Sequence, residues 1–452
     1  MEEISVKRVK HFKNQSCREN LQLLDKKDLI DRILQLEAHT FQLKNIMRNS
    51  DKTHGKSGSN QSGKPFDFVR CPKRHILLKF YYLGWNYHGF VEQEDTTNTI
   101  EHHIFEALRK SCLVENRKSS NYHRCGRTDK GVSAFSQVIS LNVRSKLIPS
   151  DQKGFHKELS YCKMLNRILP KDIKCIAWAP VGDNYSARFD CKSRSYKYFF
   201  PKGNLDIDGM NKAASYLVGH HDFRNICKMD VANGVVTFAR TIQDARIICH
   251  DDENSERSGY NMCHLLIKSQ AFLWHQIRCI MGILLLVGQG KEKPEIFLDL
   301  FDIEVCPRKP QYSLAHEVPL NLFHCDYDDV EWFYDDEELL LTIKTLQKDW
   351  TFNAVKAAMV RSMLEDLEDR VKSEESLSFQ NEGLIQGVQS KIYQPLMERI
   401  TCGMCTLNVP SSPHIRQSIP THQKVVSYIV PLIPFDMYCL RHSDTLRAFG
   451  LC

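Results

Sequence analysis

The stretch YHRCGRTDKGVSA, residues 122–134, sets one carboxylate, Asp129, among His123, Arg124, Arg127 and Lys130, with Gly126 and Gly131 nearby. Positive neighbours favour the ionised form of an acid, lowering its pKa by about one to three units. An ionised carboxylate can act as nucleophile or base without first losing a proton. Gly126 and Gly131 would let the loop turn sharply and present the side chain rather than pack it. An aspartate salt-bridged in a surface turn carries the same charges, so charge alone leaves both readings open.

The elements around this loop follow from apolar spacing. RHILLKFYYLG alternates apolar side chains and ends at Gly84, which reads as a strand. NTIEHHIFEALRK reads as a helix: Asn98 is the expected cap, Glu101 lies three residues on, and Ile100, Ile104 and Leu108 share a face. QVISLNV (137–143) alternates again, with Ile139, Leu141 and Val143 on one side, so Asp129 lies on the loop leading into a strand. CIAWAPV (175–181) and RSYKYFF (194–200) are further strands, the second with Tyr196, Tyr198 and Phe200 on one face. MNKAASYLVG reads as a helix ended by Gly219, and RTIQDARIICH with NMCHLLIKSQ as a hairpin around a polar loop. AFLWHQIRCIMGILLLVGQG reads as a buried helix closing at Gly288 and Gly290. Strand-helix-strand units thus occur twice, over 66–185 and 190–330, which predicts a mixed α/β body with antiparallel sheet.

The chain has 452 residues, 42% hydrophobic and 26% charged, suiting two or three globular domains or one large pseudo-repeated one. Its net charge of +6 is uneven. Residues 1–330 hold 49 Lys and Arg against 39 Asp and Glu, whereas residues 331–400 hold 8 against 14. A basic body with an acidic appendage suits a polyanion such as nucleic acid, and equally a merely soluble surface. The 17 cysteines are scattered, and the opening MEEIS is not a signal peptide, so free thiols in a reducing compartment are expected. Cys402 and Cys405 form one CxxC pair with only widely spaced histidines after it, so no metal site is expected. The most apolar run, Ile280 to Val287, is too short to span a bilayer, and no membrane association is expected.

The flanks divide by composition. Residues 1–24 are basic and polar, and KRVKHFK (7–13) is a candidate nuclear-import patch. Residues 25–50 read as a short coiled-coil-like helix, capped by Asp25 and carrying Leu29, Ile33, Leu36, Thr40, Leu43 and Met47 at four-three spacing. Residues 51–65 have linker composition. The acidic block 331–400 is helical in two places, DEELLLTIKTLQKDW and NAVKAAMVRSMLEDLED, and 401–452 lacks periodicity.

CGRTDKGVSA (125–134) resembles the active-site loop of the TruA-type tRNA pseudouridine synthases. Supporting segments run in the family's order over most of residues 70–330. They are YLGWNYHGF, NTIEHHIFEAL, LNRILPKDI, YSARFDCKSRSYKYFF, GHHDFRNICKMD, RTI and AFLWHQIRCIMGILLLVGQG. The motif followed by QVISL, together with CKMDVANG (227–234), is most similar to the eukaryotic branch that acts at tRNA positions 38 and 39. The likeness extends to YQPLMER (393–399) and fades past residue 400.

The resemblance implies an α+β fold of two pseudo-twofold-related, ferredoxin-like or RRM-like halves with antiparallel sheets. The halves are 66–189, with the Asp129 loop, and 190–330, with Tyr196 and Arg278, and they form one catalytic body with the site between them. An N-terminal helix and a helical C-terminal extension would flank it. Asp129 matches the catalytic aspartate. Arg127 matches the arginine that helps hold the flipped-out nucleotide. Tyr196 matches the tyrosine that stacks on the target base and accepts the proton from its C5. Arg278 matches the basic residue that pairs with the aspartate. A homodimer is implied as well, since the bacterial members share a tRNA between subunits.

The implied reaction breaks the bond from ribose C1′ to uracil N1, turns the base, and joins C1′ to C5. Nothing is oxidised or consumed, so no cofactor is expected. GQGK (288–291) agrees, lacking the upstream glycine and the Ser or Thr of a phosphate loop. Attack by Asp129 at C1′ or C6, or removal of a proton from C2′, are all open. The target base must first leave its stack, which costs a few kcal/mol and is easiest in a loop. Lys73, Arg74, Arg124, Lys130, Arg188, Lys192 and Arg194 are the candidates for phosphate contact, as a cluster rather than singly. Trp85, Tyr87 and His88 divide between RNA contact and packing, while His123, His220 and His221 read as structural or RNA-contacting. The partner expected is therefore the anticodon arm of tRNA, and the compartment the nucleus, with the cytoplasm as a second location. A competing reading is an RNA-binding or tRNA-folding protein on the same scaffold with secondary or lost catalysis. A methyltransferase would need a cofactor-binding glycine loop after a strand, which the sequence does not show.

Overall fold

The computed structural model describes residues 66–148, 157–228, 237–249, 258–371, 374–387 and 392–402. The basic N-terminus 1–24, the helix expected over 25–50, the linker 51–65, the end of CKMDVANG and the tail from 403 lie outside the described residues. In chain order the strands are β1 (Lys73–Tyr82), β2 (His123–Arg124), β3 (Ser133–Arg144), β4 (Ile173–Pro180), β5 (Ser193–Pro201), β6 (Gly219–Asp222), β7 (Ala239–Cys249), β8 (Met262–Ser269) and β9 (Leu320–Asp326). The helices are α1 (Ile100–Lys110), α2 (Tyr161–Asn166), α3 (Ile207–Ser215), α4 (Gln276–Gly288), α5 (Ile296–Phe301) and α6 (Asp336–Val371). The described residues form two compact units, one holding those up to 192 and those of 321–364, the other those of 193–320 and from 365 on.

In the first unit the strand order is β4, β1, β3, β9, with β2 also paired to β3. All pairs are antiparallel except a short parallel contact, Ser133 and Ala134 of β3 with Asn321 and Leu322 of β9. β1 sits between two neighbours, Leu78 facing Ile139 on one side and Trp178 on the other. Ile76, Leu77, Leu78, Phe80 and Tyr82 are fully buried, so both faces of this strand are covered. α1 buries the expected stripe of Ile100, Ile104 and Leu108. Its cap is Thr99, whose hydroxyl accepts from the His102 amide at 3.4 Å. Asn98, the expected cap, instead donates its side-chain amide to the Asn86 carbonyl at 2.8 Å.

In the second unit the order is β5, β8, β7, β6, antiparallel throughout. Tyr196, Tyr198 and Phe200 of β5 face Ile267, Leu265 and Cys263 of β8, and all three aromatics are buried as their spacing predicts. The helix expected over 271–290 begins only at Gln276, because His275 adopts the left-handed region at φ 57° and breaks the helical path there. From Gln276 on it is buried almost all round, as its apolar run requires. Cys249 and Cys263 are register partners on β7 and β8 and are joined in a disulfide. This corrects the expectation of free thiols throughout: strand pairing brings together two cysteines that lie 14 residues apart.

The two helical stretches of the acidic block are one helix, α6, of 36 residues. No proline or glycine separates them, so nothing stops propagation. Its start is held by Glu338, which accepts from Asn166 at 2.9 Å, and by the Lys163–Glu337 pair at 2.8 Å. Among the described residues no helix is long and apolar enough to cross a membrane.

Candidate active site

In the first unit the Asp129 loop is held mainly through its backbone. β2 pairs with β3, His123 with Ser140 and Arg124 with Ile139, so the chain leaves and re-enters the sheet beside itself. The Cys125 amide donates to the Val138 carbonyl at 2.8 Å. The fully buried side chain of Gln137 bridges Gly126, accepting from its amide at 3.3 Å and donating to its carbonyl at 3.2 Å. Thr128 and Tyr82 share a hydroxyl hydrogen bond of 2.7 Å, and burial pushes the Tyr82 phenol well above its usual pKa, so it stays neutral.

The segment GWNYHGF (84–90) closes the other side. Phe90 donates its amide to the Thr128 carbonyl at 3.1 Å, and Gly131 donates to the Tyr87 carbonyl at 3.2 Å. Gly84 donates its amide to the Ser133 hydroxyl at 2.9 Å. A Cβ at Gly84 would stand 1.9 Å from the Val132 carbonyl oxygen, so only glycine fits. Gly89 lies at φ +96° against the Thr128 and Asp129 backbone. Of the two loop glycines, Gly131 takes the left-handed region at φ 79°, as its expected turning role requires. Gly126 does not need to be glycine on either count: its φ is not positive, and a Cβ there would meet nothing within 4 Å. Tyr87 is buried and donates to Asp172 at 2.7 Å, which makes it a packing residue, while Trp85 and His88 are exposed.

Asp129 is half-buried at the end of this frame, with Arg127 and Lys130 exposed beside it in sequence. The other basic candidates separate into two groups. Arg124 is half-buried and paired to Glu101 at 2.8 Å, and Glu101 also accepts from Tyr122 at 2.7 Å and pairs with Arg117 at 3.1 Å. Arg74 pairs with Glu158 at 3.6 Å, and buried Arg194 donates to the Gln270 carbonyl. Lys73, Arg188 and Lys192 are exposed, Lys192 paired to Asp328 at 3.1 Å. The fully buried Glu101, expected only as part of a helix start, is thus the anchor of the strand that feeds the loop.

In the second unit Tyr196 is 8% exposed on β5, with the Phe272 ring edge-on at 5.3 Å. Arg278 is 5% exposed on α4 and sits in a clamp. Its Nε donates to the Ala315 carbonyl at 2.8 Å, and one terminal nitrogen donates to Glu317 at 2.9 Å and to the Gln386 side-chain oxygen at 2.6 Å. Gln386 in turn donates to the same Glu317 carboxylate. The clamp is assembled by backbone contact: His316 donates to the Leu384 carbonyl at 2.7 Å and Gln386 to the Leu314 carbonyl at 2.9 Å. Gly282 lets this segment lie against α4, since a Cβ there would be 2.8 Å from the Ser313 carbonyl oxygen. Glu317 and Gln386 had no signal in the sequence. Before α4, burial and the cations Arg278, Lys228 and Lys309 lower the pKa of His275 to about 4. The remaining histidines make local contacts: His220 with the Thr241 hydroxyl at 2.9 Å, His221 stacked on Phe301, and His123 edge-on to Phe189.

Two units of mostly antiparallel sheet with helices, one presenting a carboxylate on a backbone-braced loop, make an α+β protein, and comparison with known proteins narrows this. Residues 213–328 match the family model described as tRNA pseudouridine synthase. The chain is 45% identical over 410 residues to the tRNA pseudouridine(38/39) synthase of Bos taurus, covering 83% of this chain and 85% of the relative. It is 42% identical over 327 residues to the protein of the same name in Saccharomyces cerevisiae, covering 68% and 72%. It is 34% identical to the tRNA pseudouridine synthase A of Archaeoglobus fulgidus, covering 60% of this chain and 89% of the relative. The chain belongs to the tRNA pseudouridine synthase family.

Proposed function

We propose that this protein isomerises uridine to pseudouridine in tRNA, in the anticodon stem-loop at position 38, 39 or both, with Asp129 as the catalytic carboxylate. Family membership, with relatives named for positions 38 and 39 over most of their length, supports the reaction and the positions. The observation that carries the role of Asp129 is the frame around its loop: Gly84, Gly89 and Gln137 hold the backbone, while the side chain stays half-buried rather than enclosed.

In the proposed reaction the carboxylate of Asp129 initiates cleavage of the C1′–N1 bond, the freed uracil turns, and C5 bonds to C1′. The C5 proton then leaves through the Tyr196 hydroxyl, which passes its own proton on as it accepts, and N1 takes one up, so substrate and product are isomers. Exposed Arg127 holds the backbone of the extruded nucleotide, with Lys130 and Arg188 approaching phosphates. Arg278 supplies fixed positive charge, its guanidinium pre-oriented by Glu317 and Gln386. Arg124 contributes by anchoring β2 through Glu101. A homodimer is the proposed assembly.

The test is to incubate the full chain with tRNA transcripts carrying uridine at 38 and 39, then map pseudouridine by carbodiimide labelling and primer extension. The expected result is modification at one or both positions, abolished by Asp129→Ala with tRNA binding retained. Conversion that survives Asp129→Ala would remove the catalytic assignment. Modification confined to other positions would remove the site preference.

A further inference from the structure

Three cysteines far apart in sequence meet behind the Asp129 loop. Cys125 opens that loop, Cys191 precedes β5, and Cys325 lies on β9. All three are at most 3% exposed. Their sulfurs lie within 4.8 Å of one another, with Cys125 and Cys325 3.4 Å apart. A metal–thiolate bond of about 2.3 Å places two sulfurs of a tetrahedral or trigonal site about 3.8–4.0 Å apart, inside the span observed. Small rotations about the Cα–Cβ bonds would equalise the three distances.

We propose that Cys125, Cys191 and Cys325 form a structural binding site for a thiophilic, closed-shell metal ion, Zn²⁺ or Cu⁺. Three sulfurs without a carboxylate select against Mg²⁺, Ca²⁺ and Mn²⁺, which take oxygen ligands. The hydroxyl of Tyr327, beside the thiols and donating to the Ala187 carbonyl at 2.7 Å, offers an oxygen for a fourth position. Binding is acid-base chemistry without redox: three thiols lose three protons, and three metal–sulfur bonds form. The cluster then carries net charge −1 with Zn²⁺ or −2 with Cu⁺. Lys79, which interacts electrostatically with Cys325 and is itself buried, offsets part of it. The ion would staple the start of the catalytic loop to β9 and to the segment before β5. The site rests on the thiols alone and does not depend on the reaction assigned to Asp129.

The full chain is produced with zinc supplementation and, separately, loaded with Cu⁺ under anaerobic conditions, then passed over a chelating resin and analysed for metal. The expected result is about one equivalent of one of the two ions per chain. It is retained when Cys402→Ser and Cys405→Ser remove the tail's CxxC pair, and lost in Cys191→Ser and Cys325→Ser. Because those last variants can misfold, the wild-type chain is also alkylated with and without metal and read peptide by peptide. Since all three are buried, the alkylation is run in moderate urea, where Cys125, Cys191 and Cys325 should label more slowly with metal than without. Cys162 and Cys175, a second buried thiol pair 3.6 Å apart, serve as the internal control and should not change. Loading below about a tenth of an equivalent with both ions, metal content unchanged in Cys325→Ser, or equal labelling of the three cysteines in both states overturns the proposal.

Discussion

The Asp129 loop and the Arg278 clamp reach the same end, a fixed charged side chain, by opposite means. The loop is positioned by backbone hydrogen bonds and glycine fit, with Gly84 and Gly89 letting a neighbouring segment approach as no other residue could. The clamp is positioned by side chains, a carboxylate and an amide gripping a guanidinium 5% exposed. Backbone positioning tolerates changes of surface charge and fails when a methyl group is added. Side-chain positioning tolerates small shifts of packing and fails when one polar partner is removed.

Five experiments press on that contrast. The largest effect is Asp129→Ala, expected to cut product formation by roughly three orders of magnitude or more while tRNA affinity, measured by filter binding, changes little. Tyr196→Phe keeps the ring but not the hydroxyl, and turnover should fall by about two to three orders of magnitude in single-turnover assays with binding intact. Unchanged turnover would strip Tyr196 of its proton-accepting role. Gly84→Ala drives a methyl group into the Val132 carbonyl and should cost about 3 kcal/mol or more in urea unfolding. Gly126→Ala, in the Asp129 loop itself, has open space and should stay within about 0.5 kcal/mol; equal costs at the two sites would mean that fit does not govern the loop. Gln386→Ala removes one hydrogen bond to a buried charge and should lower kcat roughly ten- to hundredfold with KM little changed.

The smallest effect is a pH dependence confined to the clamped unit. Below pH 6.5 the unfolded chain takes up a proton on His275 that the folded chain refuses until about pH 4. The unfolded state binds more protons across that window, so stability falls as pH drops through it. Burial and the positive charges of Arg278, Lys228 and Lys309 share in holding the ring neutral. Asn suits the left-handed backbone at φ 57°, so His275→Asn should flatten this part of the profile, read from urea midpoints at pH 5 and pH 7.

How much of this was visible in the letters depends on sequence distance. β1, β3, β4, β5, β7 and β8 announced themselves by their apolar runs, because neighbouring side chains on one strand see opposite faces, whereas β2, β6 and β9 gave no such signal. The Asp129 loop was legible for the same reason, its carboxylate, basic neighbours and Gly131 being contiguous. The contacts that finish each site are not local. Glu101 reads as half of a capping box, and only the folded chain shows it gripping Arg124 and Arg117. Gly84 reads as the end of a strand, although its real constraint is a carbonyl at position 132. The cysteines look scattered because one-dimensional spacing is blind to strand pairing, which makes a disulfide of Cys249 and Cys263 and gathers Cys125, Cys191 and Cys325. α6 was read as two pieces, although helix continuity needs only the absence of a breaker and only Thr351 and Phe352 lie between them.

The link from Gln386 to Arg278 also imposes an order of events during synthesis. Arg278 leaves the ribosome long before the residue that completes its grip, so a chain still being translated carries an arginine short of one restraint. Premature termination or proteolytic clipping just past α6 would spare every strand named above and still release that restraint. The product would keep its strands but lose the buried Leu396 and the bridges of Ala315 to Ile385 and Pro310 to Thr401, along with the full grip on Arg278.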